Sequence, residues 1–205
     1  MEGNPIKLYF APRTRATRPR WILEELGLPY ELVQLDLSKG EHKQMSHLRL
    51  HPLGRVPVLV DGDVTIFESA AICLYLADKH IDKKLAPAFG SDARAAYYQW
   101  IVFAATELEP PIAEYANHTS FLPEDKRNAD IAAAAKEKAL AAIKVVENGM
   151  LGKMYLVNDK FSAADIILGS ILRWADSMKL LTNAPDIQSW LYELKSRAAF
   201  KKAMA

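Results

Sequence analysis

Residues 51–76 of this 205-residue chain, HPLGRVPVLVDGDVTIFESAAICLYL, hold the residue types and spacing best suited to chemistry. A proline stands inside the apolar run Val56-Pro57-Val58-Leu59-Val60, where it removes a ladder donor and is tolerated only at a sheet edge or a special peptide bond. Asp61-Gly62 then supplies a hairpin signal, Val64-Thr65-Ile66-Phe67 alternates as a second strand, and Glu68-Ser69 sits where helical periodicity begins. The pattern predicts an exposed backbone edge beside a helix N-terminus. With the Val56-Pro57 bond cis, Val56 would turn its N–H and C=O away from the sheet and toward an extended peptide added as a strand. A carboxylate of that peptide would rest on the first amides of the helix at Ser69, where unpaired N–H groups and the helix dipole favour anions.

HPLGRVP followed by FESAAICLYLAD resembles the glutathione site of cytosolic glutathione transferases, in the manner of a bacterial member of beta, theta or phi type. The resemblance implies that Val56, set by Pro57, pairs with the cysteinyl part of glutathione, and that Glu68 and Ser69 take its γ-glutamyl end. Gly40-Glu41-His42-Lys43 is similar to a segment whose His and Lys approach the glycyl carboxylate, and Arg55 is placed to serve the same anion. Taken singly, His42 and Lys43 read as exposed surface residues.

In that family a tyrosine, serine or cysteine near the first loop contacts the glutathione sulfur, because the reactive species is the thiolate and its pKa must be lowered. Here the loop is Ala11-Pro12-Arg13-Thr14-Arg15-Ala16-Thr17-Arg18-Pro19, with neither serine nor cysteine, and Tyr9 falls too early, inside a strand. Aligning Pro12 with the family's loop proline ranks Thr14 first, Arg15 second and Thr17 third as catalytic candidates. Thr17 serves equally well as a helix N-cap.

Composition excludes several classes of function. Lys plus Arg number 26 against 25 Asp plus Glu, so no global field favours nucleic acid or an anionic membrane. The four arginines at 13, 15, 18 and 20 lack aromatic interleaving, and at helix spacing some are expected to pair with Glu24 and Glu25. No phosphate-binding glycine loop is present and a single cysteine cannot build a cysteine-based metal cluster, so no metal or nucleotide is expected, and glutathione is the only cofactor-like ligand implied. The start, MEGNPIKLYF, has no basic region followed by a long apolar core, and no later run reaches a membrane span, so a cytoplasmic location is expected. The lone Cys73, on an apolar helix, reads as a small structural hydrophobe.

The elements that must position these residues read as strand (6–10), helix (19–26), strand (30–35), an irregular polar segment, a hairpin and a helix, a βαβαββα order. This thioredoxin-like domain is assigned residues 1–82, with a linker at 83–90. Residues 91–205 read as an all-helical C-terminal bundle, with helices over 91–116, 124–148, 163–181 and a shorter pair from 186 to the end. Phe161-Ser162-Ala163-Ala164-Asp165-Ile166 is a capping box with a hydrophobic staple, a folding element. The family's architecture implies an apolar electrophile pocket near Tyr97, Trp100, Phe103, Ala104 and Glu107, although such a stripe also suits bundle core or a dimer face. It also implies a homodimer through the helices from 91 to 148. The expected activity is transfer of glutathione to a hydrophobic electrophile in detoxification, with peroxidase or reductase chemistry alongside. A non-catalytic glutathione-binding module or a glutathione-dependent cis-trans isomerase is the alternative.

Overall fold

The computed structural model describes residues 5–205; the first four, which entered the argument against a targeting segment, lie outside them. Strands β1 (Ile6–Phe10), β2 (Tyr30–Gln34), β3 (Val58–Asp61) and β4 (Val64–Phe67) form one sheet in the order β2-β1-β3-β4. β1 is parallel to β2, and β3 is antiparallel to both β1 and β4. A parallel pair needs a crossover, and α1 (Thr17–Leu26) supplies it. Gly27 stops that helix in the left-handed region at φ 67, its N–H returning to the carbonyls of Glu24 and Leu23. α2 (Met45–Leu48) lies in the polar segment, and α3 (Ser69–Lys79) leaves β4 directly. The thioredoxin-like order is therefore the one expected.

Leu8 and Phe10 from β1, Val58 and Leu59 from β3, Trp21 to Leu23 from α1 and Ile72, Cys73 and Leu76 from α3 are all buried. Burial pushes the Cys73 thiol up to about 12, so it stays protonated and packs as an apolar group.

The chain divides into two compact units, Met1–Ala86 together with Ser196–Ala205, and Pro87–Lys195. The final helix α9 (Ala198–Met204) therefore belongs with the sheet and not, as the assignment of 91–205 had it, with the helical domain. Its contacts give the reason. The Phe200 ring meets Trp21 edge-on at 4.9 Å, Arg197 forks onto both oxygens of Glu25 at 2.6 and 2.8 Å, and Lys202 reaches Glu24 at 2.6 Å. Glu25, expected to pair within its own helix, is thus held from the far end of the chain, while Arg20 still lies close enough to Glu24 to lower its carboxyl pKa.

The second unit is all helical: α4 (Asp92–Phe103), α5 (Glu109–Ala116), α6 (Ala129–Met150), α7 (Ala163–Ser177) and α8 (Pro185–Ser196). The single helix expected over 91–116 is interrupted by a π-helical stretch, Ala104–Leu108, because Pro110 and Pro111 have no N–H to donate to the carbonyls four residues back. The helix expected from Glu124 starts instead at Ala129, where the Asn128 side chain accepts from the amides of Asp130 and Ile131 at 2.9 and 3.1 Å. No helix among the described residues is long and apolar enough to cross a membrane.

At the start of α7 the capping box is closed as expected. The Asp165 carboxylate accepts from the Ser162 amide at 2.8 Å, the Ser162 hydroxyl at 3.0 Å and the Leu156 amide at 3.3 Å. Burial nevertheless outweighs those bonds and raises its carboxyl pKa to about 6. Asp165→Ala should lower the free energy of unfolding by about 1 kcal/mol or more, read by thermal or denaturant unfolding; an unchanged midpoint would exclude the capping role. The folded state keeps this proton at a pH where the unfolded chain has lost it, so the group's contribution falls as pH rises from about 4 to about 6. Asp165→Asn should flatten that part of the stability profile.

Candidate functional site

The site forms where β3 begins and β4 ends. Val58 pairs with Phe67, so Val56 and Pro57 precede the ladder on one side and Glu68 and Ser69 follow it on the other. The Val56-Pro57 bond is cis; Pro57 is buried, and Val56 is half-buried and outside every strand pairing. Glu68 turns the chain sharply from β4 into α3 at φ 73 and ψ 113, and its exposed side chain makes no cap hydrogen bond.

Ser69, the first residue of α3, is buried, and its Oγ accepts from Arg18 Nη1 at 3.2 Å. Arg18 is itself only 5% exposed, so a buried guanidinium stands against the helix start and lowers the Cys73 thiol pKa slightly against the larger effect of burial. Sequence reasoning saw Arg18 only as one of four loop arginines. A partner 51 positions away leaves no mark in a local pattern.

The first loop holds its own hydroxyls. Thr14 Oγ1 donates to the Ala11 carbonyl at 2.7 Å and accepts from the Ala16 amide at 3.2 Å. Thr17 is buried as the first residue of α1 rather than its cap, and its Oγ1 donates to the Thr14 carbonyl at 3.1 Å. Arg13 takes a left-handed φ of 59, and Arg15 is exposed. Both threonine protons therefore point into the loop's own backbone.

Cations gather on the other flank. Gly40, at φ 70, opens the short 3-10 turn Glu41–Lys43, and Lys43 Nζ donates to the Leu53 carbonyl at 2.8 Å. Arg55 is exposed, and its carbonyl pairs with His47 Nε2 at 2.8 Å. His51 is buried with its ring 4.6 Å from that of Phe67, and its Nδ1 accepts from the Leu53 amide at 3.2 Å. Burial lowers the His51 pKa; Glu68 pulls it up, and His47, Arg55 and Lys43 push it further down. One imidazole thus feels Glu68, Arg55 and Lys43 together. His42, next to Lys43, presents its carbonyl to Gly54, where an added Cβ would lie 2.5 Å from that oxygen. The gathered set is an unpaired backbone segment just ahead of β3, an acidic group at a helix start and cations nearby, suited to an extended peptide carrying an amino group and carboxylates.

Of the residues considered for a second substrate, Tyr97, Trp100 and Ala104 are buried within the helical unit, where Gly149 lies so close to Trp100 that a Cβ would stand 2.4 Å from its ring. Phe103 and Glu107 instead line a cleft of about 590 Å³ with Pro110, Lys138 and Val145.

Two family models match the chain: the N-terminal domain of glutathione S-transferases over residues 4–78 and their C-terminal domain over residues 108–198. The chain is 30% identical to glutathione S-transferase F9 of Arabidopsis thaliana over 98% of its length and 96% of the relative's. It is 31% identical to glutathione S-transferase 3 of Zea mays, covering 98% and 94%. Among solved structures it is similar to the glutathione transferase URE2P8 of Phanerochaete chrysosporium, crystallised with oxidized glutathione, at a TM-score of 0.87 and 28% identity, covering 99% and 95%.

Gly54 sits at φ 55 in the turn that carries Arg55. Gly54→Ala should lower stability by about 2 kcal/mol or more, through a strained φ and the contact with the His42 carbonyl. Denaturant unfolding measures it, and a neutral substitution would contradict the close packing of this turn.

Proposed function

Since the chain belongs to the glutathione S-transferase family, we propose that it activates the thiol of glutathione for attack on a small hydrophobic electrophile. The observation that carries this reading is Val56, unpaired just ahead of β3 and flanked by Glu68-Ser69 on one side and Lys43-Arg55 on the other. Val56 pairs with the cysteinyl backbone in the register set by Pro57. Glu68 takes the γ-glutamyl ammonium, and Ser69 with the α3 amides takes the γ-glutamyl carboxylate. His42, Lys43 and Arg55 serve the glycyl carboxylate.

The thiol must lose its proton before it attacks. A free thiol near pKa 8.5 is only a few per cent ionised at neutral pH, so donors and positive charge at the sulfur raise the reactive fraction. Thr14 at the loop, with Arg15 beside it and Thr17 behind it, performs that role. The thiolate sulfur then bonds to the electrophilic carbon while the leaving group departs with its electron pair. The same thiolate would attack a peroxide oxygen or a disulfide sulfur. Exposed Tyr98, Val102 and Val145 support a two-fold homodimer through the helical unit. Cytoplasmic detoxification is the setting that goes with this reading.

One observation favours a second reading, a glutathione-binding module without turnover. The Thr14 proton is directed at the Ala11 carbonyl, so it must swing toward the sulfur to act. Two measurements separate the readings. Retention on immobilised glutathione with conjugation of a chloronitroaromatic supports the transferase, and Thr14→Ala should then lower turnover at least about tenfold. Retention without turnover on electrophile, peroxide and cis-alkene diacid panels supports the binding module, and no retention excludes both. Full activity of Thr14→Ala would remove Thr14 from the mechanism.

A further inference from the structure

Three side-chain tethers hold the backbone that leads into Val56. Lys43 Nζ donates to the Leu53 carbonyl, His51 Nδ1 accepts from the Leu53 amide, and His47 Nε2 pairs with the Arg55 carbonyl at 2.8 Å. The last acts on the peptide group directly before Val56. A carbonyl only accepts, so Nε2 of His47 carries a proton, and in the neutral ring Nδ1 is left as an acceptor.

That Nδ1 is buried without a hydrogen-bond partner. His47 is 3% exposed, its ring centroid 5.6 Å from that of Tyr9, and it borders a cavity of about 170 Å³ that Glu41, Gln44 and Ser46 also line. An unsatisfied buried polar atom is a cost to folding, and a phenylalanine would fill the same space without it. What the imidazole adds at this position is its bond to Arg55.

We propose that His47 is a positioning residue for glutathione: through its bond to the Arg55 carbonyl it fixes the Arg55–Val56 peptide plane, so that Val56 meets the cysteinyl backbone of the ligand already oriented. This rests on the glutathione reading above. Orienting the edge in advance removes an ordering cost from binding, so loss of the bond acts on affinity and leaves the saturated enzyme's turnover in place.

The test compares His47→Phe, which removes the bond, with His47→Gln, whose amide nitrogen reaches the same carbonyl. Titration calorimetry with reduced glutathione should show the dissociation constant raised about tenfold in His47→Phe and largely recovered in His47→Gln. Turnover at saturating glutathione should stay within about twofold of wild type in both. An unchanged dissociation constant in His47→Phe, or equal loss in the two variants, overturns the proposal. A wild-type chain that fails to bind glutathione at all instead overturns the functional reading, and this inference falls with it. Should His47→Phe not fold, nitrogen-15 spectra of the wild type decide: the Nε2–H tautomer, with that proton's exchange slowed by glutathione, supports the proposal. The Nδ1–H tautomer, or an imidazole indifferent to glutathione, overturns it.

Discussion

The bond between Arg18 and Ser69 joins the two halves of the site. Arg18 leaves the first loop at the start of α1, Ser69 opens α3, and their 3.2 Å contact is buried. A guanidinium taken out of water is costly without hydrogen-bond partners, so a fold that brings Ser69 within reach of Arg18 is favoured over one that buries the charge alone. The first loop and the start of α3 are thereby tied to each other by a buried contact between residues 51 positions apart. Trp21, Ile22 and Leu23 of α1 and Ile72, Cys73 and Leu76 of α3, all buried, carry the same join into the apolar core.

On that frame the segment leading into Val56 is held by small, specific devices. Gly54 allows the chain to pass against the His42 carbonyl, and Lys43, His51 and His47 each pin a backbone group between Leu53 and Arg55. The sheet gives rigidity up to Val58, and the tethers extend it to a segment with no ladder bonds of its own. Electrostatics are equally local. A chain with 26 basic and 25 acidic residues has almost no net field, yet His51 lies within reach of one carboxylate and several cations.

The sheet unit is completed by the last ten residues of the chain. Phe200 closes over Trp21, and the Arg197 fork on Glu25 gives that docking a direction as well as apolar area. In the helical unit, the π-helical stretch at Ala104–Leu108 shows how two adjacent prolines change the winding of a helix without ending it.

Periodicity and Asp61-Gly62 marked the hairpin, and Ser162 with Asp165 marked the start of α7, because each of these signals acts within a few residues. By the same locality the chain's sequence determined the thioredoxin-like order and the placing of Val56-Pro57 beside Glu68-Ser69. The sequence could not show that Thr14 turns its proton to Ala11, that Arg18 meets Ser69, or that α9 caps the sheet unit. A hydroxyl rotor has several nearby acceptors, and partners 51 or 172 residues apart are chosen by packing. Only the tertiary structure decided those, since a buried charge or ring takes whichever partner the folded chain brings within reach, at whatever sequence distance.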